Sequence, residues 1–463
     1  MANKSKKLLG AELRRFLRKY PKTGSMELLI PDMLGVLKCK RIRKSDFEKV
    51  CDDGFFFCAG SVMLTTLGDT VPGLPFTEID GDPDAPTQLV PGSIAPIPWA
   101  KRPMGQALFR LKNYDGSNFF ADPRAILENA LQPFHKMGLK IVMATELEFY
   151  LLDANTDRPI PRAPRVPGTF RPQPGPQVYH PDDLWEVEPF LNDVYDYCEA
   201  QGVPADTVIS EFAQGQFEIN LHHVADPALA CDHAVLLKRA VKAAAKKHGF
   251  IACFMAKPFA EDAGNGLHIH MSLYDRNGKN YFSQGRDKLA APPFSARLQH
   301  AVGGLLKLMP ESMAIFAPNM NSFRRLRADM FAPVQTNWGA NHRVVAVRIP
   351  SADAGNLRFE HRVSGADANP YLVTAAILAG VHHGLKNKIK PPRMVEQGEE
   401  IKPKLSISTR WDRALDHFAR SKVLPEYLGS DYHEYYLANR RHECQMFHNE
   451  VTSLDYDWYL RAL

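Results

Sequence analysis

Four short stretches hold the side chains most able to do chemistry, and each sets polar groups on one face of an extended segment and apolar groups on the other. From Gly264 to Ser272, His268, His270 and Ser272 share a face opposite Leu267, Ile269 and Met271. Glu146 and Glu148 share a face in a segment whose neighbours Val142, Met143, Leu147, Phe149, Leu151 and Leu152 suit a buried strand. Two carboxylates so placed repel unless one is protonated or a cation bridges them, which favours metal ligation over a solvated edge. A turn at Gln214-Gly215 can bring Glu211 and Glu218 to one place, although two acids in a loop also suit a structural role. Arg358, Glu360 and Arg362 alternate with Leu357, Phe359 and His361. That face is either an ion-pair ladder or a metal ligand between two anion-binding forks.

Five glutamates and a histidine form a hard-cation ligand set, which selects Mg²⁺ or Mn²⁺ over zinc. Arg324, Arg325, Arg343 and Arg348 lie between the last two stretches and suit a polyphosphate and a carboxylate. Together they point to activation of a carboxylate by phosphoryl transfer. The chain has no P-loop and no kinase signature set, so the nucleotide reading rests on the acids and arginines.

The elements that must position these groups follow from length and punctuation. A chain of 463 residues suits one large domain and one smaller one. After a basic opening helix with Leu9, Leu13, Phe16, Leu17 and Tyr20 at helical spacing, the region to about residue 118 is strand-rich. We expect that helix to pack on its own protein, since Glu12 interrupts the basic run. From residue 119 to 463 strands and helices alternate, suggesting a sheet that carries the site with helices behind it. Helices are expected from Asp122-Pro123 to Met137-Gly138, from Asp182 to Gln201, from Asp226-Pro227 to Gly249, and from Asn369-Pro370 to His383. A loop with prolines at 159, 161, 164, 167, 172, 174 and 176 is long enough to be functional or an assembly contact.

A net charge of +5 without a basic stripe argues against nucleic-acid binding, and no apolar run reaches membrane-spanning length. Seven cysteines without close pairing suit free thiols in a reducing, cytoplasmic setting.

The order of motifs, from Thr145–Phe149 through Glu211–Glu218, Lys257–His270, Asn321–Leu326, Asn341–Pro350 and Phe359–Arg362 to Ala368–Leu372, resembles the glutamine synthetase family. The residues from Gly35 to Gly73 resemble its branch that ligates glutamate to organic amines. The resemblance implies an α+β fold, with a small β-grasp domain before a catalytic domain built on a bowl-like antiparallel sheet backed by helices. It also implies a dodecamer of two hexameric rings. Glu148, Glu211 and Glu218 would hold one divalent metal, and Glu146, His268 and Glu360 a second. Arg348 and Arg358 would grip the ATP phosphates beside His270 and Ser272, while Arg325, Arg343, Arg362 and Gly264 would serve glutamate and its phosphorylated form.

Two departures bear on the second substrate. Ammonia-using members carry a glutamate in a Tyr-Glu-Ala-Pro flap, where this chain reads Met330-Phe331-Ala332-Pro333. The family's aspartate-bearing Phe-Asp-Gly-Ser-Ser segment is replaced by Phe57 to Ser61, which has no acid. Both changes favour an organic amine over ammonia, with Phe331 an apolar wall or a residue that packs a shortened flap. Ala263 stands where the family has an asparagine, and Asn265 lies two residues away as its candidate substitute. The expected activity is ATP-dependent formation of a γ-glutamylamide through γ-glutamyl phosphate. Glutamine synthesis from ammonia and a non-catalytic scaffold are the alternatives.

Overall fold

The computed structural model describes residues 2–154, 159–166, 168–173, 175, 177–283, 292–328, 330–399, 401 and 405–463, with backbone alone for residues 2–9. Pro167, Pro174, Pro176 and the Leu9 side chain lie outside the described residues. In the opening helix, Ala2–Lys19, Leu13 and Phe16 are buried and Leu17 packs beside them, so its apolar face is spent on the protein itself.

The first sheet is built from β1 (Ser25–Pro31), β2 (Leu37–Arg43), β3 (Phe56–Cys58), β4 (Asp84–Leu89), β5 (Ala95–Pro96) and β6 (Met104–Leu111). Its order is β2-β1-β6-β4-β3 with β5 on β6, and β1 runs parallel to β6.

The second sheet carries the chemistry. Its strands are β7 (Lys140–Asp153), β8 (Ile160–Pro161), β9 (Ala205–Ser210), β10 (Gln216–Leu221), β11 (Phe250–Cys253), β12 (Leu267–Tyr274), β13 (Trp338–Ala340), β14 (Val347–Ile349) and β15 (Phe359–His361). The order is β13-β14-β15-β12-β7-β10-β9, antiparallel except for β13 beside β14, with β8 and β11 also on β7. The fold is α+β, with the curled antiparallel sheet backed by helices.

Strand β7 is the spine. Its residues alternate between buried and half-buried from Ile141 to Glu148, as a strand with one face in the core and one in a cleft must. Phe149, Phe217, Ile219, Leu267, Ile269, Met271 and Phe359 fill the core face. Each such burial contributes about 1.5–3 kcal/mol. Helices close that face: Thr374 of Pro370–Asn387 touches Met143, and Phe316 of Ala296–Phe316 lies on His361 with ring centroids 4.4 Å apart.

Helix starts follow their caps. Asp122, Asp226 and Asn369 each accept a backbone N–H from the first turn of the helices Pro123–Lys136, Pro227–Lys247 and Pro370–Asn387. The single helix expected over Asp182–Gln201 is instead two, Pro181–Trp185 and Glu188–Gln201. Pro189 accounts for the break, because a proline fits the first turn of a new helix but not the interior of a continuous one.

Candidate active site

Strand register assembles the polar face. Glu218 on β10 pairs with Glu148 on β7, Asn220 with Glu146, Glu146 with His268 on β12, His270 with Glu360 on β15, and Glu360 with Arg348 on β14. Side chains opposite one another on neighbouring strands share a face, so groups far apart in sequence form one row. Glu211 joins from outside the ladder. Gly215 takes φ +70°, a conformation glycine adopts without strain, and the turn closes with Glu211 N–H donating to the Gln216 carbonyl at 2.8 Å. Ligand atoms of Glu148, Glu211 and Glu218 come within 4.8 Å of one another.

His268 is the hub. Its Nδ1 lies 3.1 Å from Glu146 and 3.9 Å from both Glu218 and Glu360, and its Nε2 lies 3.9 Å from Glu148. Glu146, Glu218 and His268 form a second potential ligand group, and Glu146, His270 and Glu360 a third. His270, expected beside a nucleotide, reaches the acids: its Nε2 is 2.7 Å from Glu146, and Arg358 Nε donates to its Nδ1 at 3.3 Å. Arg348, expected at phosphates, donates to Glu360 at 3.0 Å, and Arg362 donates to the same carboxylate.

The charges do not balance among the acids. Burial and then Glu148 push Glu211 up to about 7 from the ordinary 4.5, and burial followed by Glu146 and Glu148 pushes Glu218 well above it. Burial also opposes ionisation of Glu360, but Arg362 and His270 outweigh it and hold that carboxyl below its ordinary value. A divalent cation can displace protons held this tightly and bridge the carboxylates, so a hard cation fits this donor set.

The loop between β11 and β12 covers the row at one end. β12 pairs with β7 up to Leu147 and β11 begins to pair at Tyr150, so the chain between them leaves the strand edge over Glu148. There Gly266 N–H donates to the Glu148 carboxylate at 2.5 Å. A Cβ on Gly264 would stand 2.5 Å from the Ala256 carbonyl, and one on Gly266 would stand 2.8 Å from His268 Nε2, so only glycine lets the backbone pass. Asn265 does not reach the cleft. It is fully buried, donating to the carbonyls of Cys253 and Met255 and accepting from Gln216, so it shapes the loop rather than facing a substrate.

Two open cavities meet at this row. One, of about 510 Å³, is lined by Glu146, Asn220, His222, His223, His270, Ser272 and Arg358 among others. The other, of about 530 Å³, has Glu148, Glu211, Glu218, Gly264 and His268 at its acidic end, with Arg325, Phe331, Arg343, Arg348 and Arg362 around it. Glu146 and Asn220 line both. Arg325 is buried and donates to the Val363 carbonyl at 2.8 Å, while Ser272 donates to the Leu357 carbonyl at 3.3 Å. The sequence reading missed Asn220, Phe212 and Tyr179. Asn220 had a signal, being two residues beyond Glu218 and so on the same strand face; the other two gain their place only through the fold.

A curled antiparallel sheet with a carboxylate and imidazole row, flanked by one cleft on each side, suits an enzyme that couples two substrates across a cation centre. The glutamine synthetase catalytic domain matches residues 120–459, and the chain belongs to the glutamine synthetase family as a carbon–nitrogen ligase. It is 39% identical over 97% of its length, and 94% of the relative's, to gamma-glutamylputrescine synthetase of Escherichia coli (strain K12). It is also 28% identical to glutamate–isopropylamine ligase of Pseudomonas sp, over 99% of each chain. A solved structure titled "Apo GmaS without ligand" superposes with a TM-score of 0.82 and 25% identity, over 97% of this chain and 99% of that one.

Proposed function

We propose that this chain joins the γ-carboxylate of L-glutamate to the nitrogen of an organic mono- or polyamine, with ATP as co-substrate and γ-glutamyl phosphate as intermediate. The observation that carries the reading is the meeting of two clefts at one row of acids, with Glu146 and Asn220 common to both. The amine-ligase names of the E. coli and Pseudomonas relatives support the choice of second substrate.

The cleft with His270, Ser272 and Arg358 takes the nucleotide, and Arg348, which lines the other cleft, meets its phosphates from there. Glu148, Glu211 and Glu218 would hold one Mg²⁺ or Mn²⁺ ion, and Glu146, His268 and Glu360 a second, with His270 in reach. Such ions neutralise phosphate oxygens and make the γ-phosphorus a better acceptor. Arg325, Arg343 and Arg362, with the Gly264 backbone, hold glutamate on the other side. A γ-carboxylate oxygen attacks the γ-phosphorus, the bond to the ADP oxygen breaks, and Arg343 and Arg362 face the charge on the transferred group. The amine nitrogen then attacks the γ-carbonyl carbon. The carbon–oxygen bond to phosphate breaks, orthophosphate leaves, and the nitrogen loses one proton.

The wider organisation belongs to the same proposal: an N-terminal β-grasp domain over 1–118, a catalytic domain over 119–463, and assembly as two hexameric rings in the cytoplasm. Exposed apolar side chains at Val451, Leu454, Trp458, Leu460 and Leu463 support assembly, since a lone chain leaves them in water. No described helix is long and apolar enough to cross a membrane.

Glutamate-dependent phosphate release, measured with ammonium, methylamine, isopropylamine, an aromatic amine, putrescine and spermidine, tests the reading. An organic amine is expected to exceed ammonium by at least about tenfold in kcat/KM. Equal or better use of ammonium would make the protein a glutamine synthetase, and absence of metal and nucleotide binding by calorimetry would make it a scaffold.

A further inference from the structure

The second cavity has two ends of opposite character. Its inner end is the acidic row, and its mouth gathers Val178, Tyr179, Phe212, Phe331 and Val344, which come from separate segments and are all more than 40% exposed. Phe212 and Phe331 touch there, with ring centroids 4.7 Å apart and planes at 57°. Phe212 follows Glu211 directly in sequence, so the aromatic pair and that carboxylate border the same space. Phe331 holds its place at a cost, since its φ of +59° is unusual for a bulky residue. At the other side of the mouth Arg343 Nη1 donates to the Tyr179 hydroxyl at 3.3 Å, which places a positive charge beside the apolar surface.

The geometry points to an amine subsite in which Phe212 and Phe331 select the hydrocarbon substituent of a primary monoamine. The inference rests on the amine-ligase reading and narrows its substrate class. The amine nitrogen faces inward, toward the acids and the γ-carbonyl carbon, and the carbon chain lies on the two rings. Those rings lose water when the chain arrives, so affinity rises with each methylene. Ammonium and methylamine cannot reach the pair. A diamine reaches it with a second ammonium group, which gives up part of its hydration against apolar surface and is repelled by the Arg343 cation.

Steady-state kcat/KM for methylamine, ethylamine, n-propylamine, n-butylamine and putrescine, at saturating glutamate and ATP, tests the inference. From methylamine to n-butylamine, kcat/KM is expected to rise roughly threefold per methylene, and n-butylamine should exceed putrescine by about tenfold or more. In Phe212→Ala and Phe331→Ala the ratio of n-butylamine to methylamine is expected to fall toward about one, while Phe212→Leu, which keeps apolar surface, retains most of it. A flat series, or putrescine better than n-butylamine, would overturn the inference and leave the ligase reading intact. If the alanine variants change the association state, read by sedimentation, and leave the amine ratios alone, the pair covers a neighbouring copy and the inference falls. Absence of glutamate-dependent ADP formation with every amine and with ammonium would instead remove the ligase reading beneath it.

Discussion

At the scale of single residues the site is governed by repulsion among acids that proton uptake or a bound cation relieves. Glu218 is buried and bordered by Glu146, Glu148 and Glu211. Glu218→Gln removes a charge from one ligand group and is expected to weaken Mn²⁺ binding at least about tenfold by titration calorimetry. The same repulsion sets a pH dependence. Glu211 is raised from 4.5 to about 7 in the metal-free protein, so between those values the folded chain holds a proton that the unfolded chain has lost. Its contribution to stability is therefore fully present below pH 4.5 and is lost as pH rises through about 7. Melting temperature without metal should fall from pH 6 to pH 8, and the increment given by Mg²⁺ should be larger at pH 8. An Mg²⁺ increment that shrinks with rising pH would count against ligation by Glu211.

At the scale of elements, strand β7 and the loop above it decide whether these residues meet. Gly266→Ala would set a Cβ 2.8 Å from His268 Nε2 and 3.0 Å from Arg325 Nη2. Activity should fall at least about a hundredfold, because small displacements of reacting groups are costly, while far-UV circular dichroism stays unchanged. Phe149→Ala acts on the other face. Its ring is buried against Phe190, Phe217 and Phe254, so its loss should cost about 3–5 kcal/mol, read as a lower melting temperature. The alternation on β7 and β12 was legible in the sequence, because period-two patterning assigns the faces of a strand. Which strands lie side by side was not legible from patterning. The pairing of His270 with Glu360 spans ninety residues and is set by packing of the core face. The same limit hid Phe212, whose meaning depends on Phe331 lying against it. Asn265 was misplaced for a related reason: the loop geometry turns its amide toward the Cys253 and Met255 carbonyls.

At the scale of the whole molecule, one continuous apolar core runs under both sheets, and polar contacts tie distant segments together. Glu443 on the helix Ser430–Asn449 accepts from both the backbone and the hydroxyl of Thr66, and Asn439 donates to the Met63 carbonyl. The strand-rich start and alternating remainder of the chain could be read from turn residues and helix caps. The broken helix at Pro189 shows how one residue overrides a run of otherwise suitable composition. The two clefts could not be read from the linear order, since each is lined from several strands and loops.

In the proposed reaction a single centre moves the γ-phosphate of ATP onto a γ-carboxylate oxygen of glutamate and then nitrogen onto the carbon that bears it. Glutamate labelled with ¹⁸O in its γ-carboxylate, turned over with ATP and n-butylamine, tests this most directly. One labelled oxygen is expected in each orthophosphate released, because the carboxylate oxygen that attacks phosphorus leaves with it. Orthophosphate free of label, formed in step with the amide, would contradict γ-glutamyl phosphate as the intermediate.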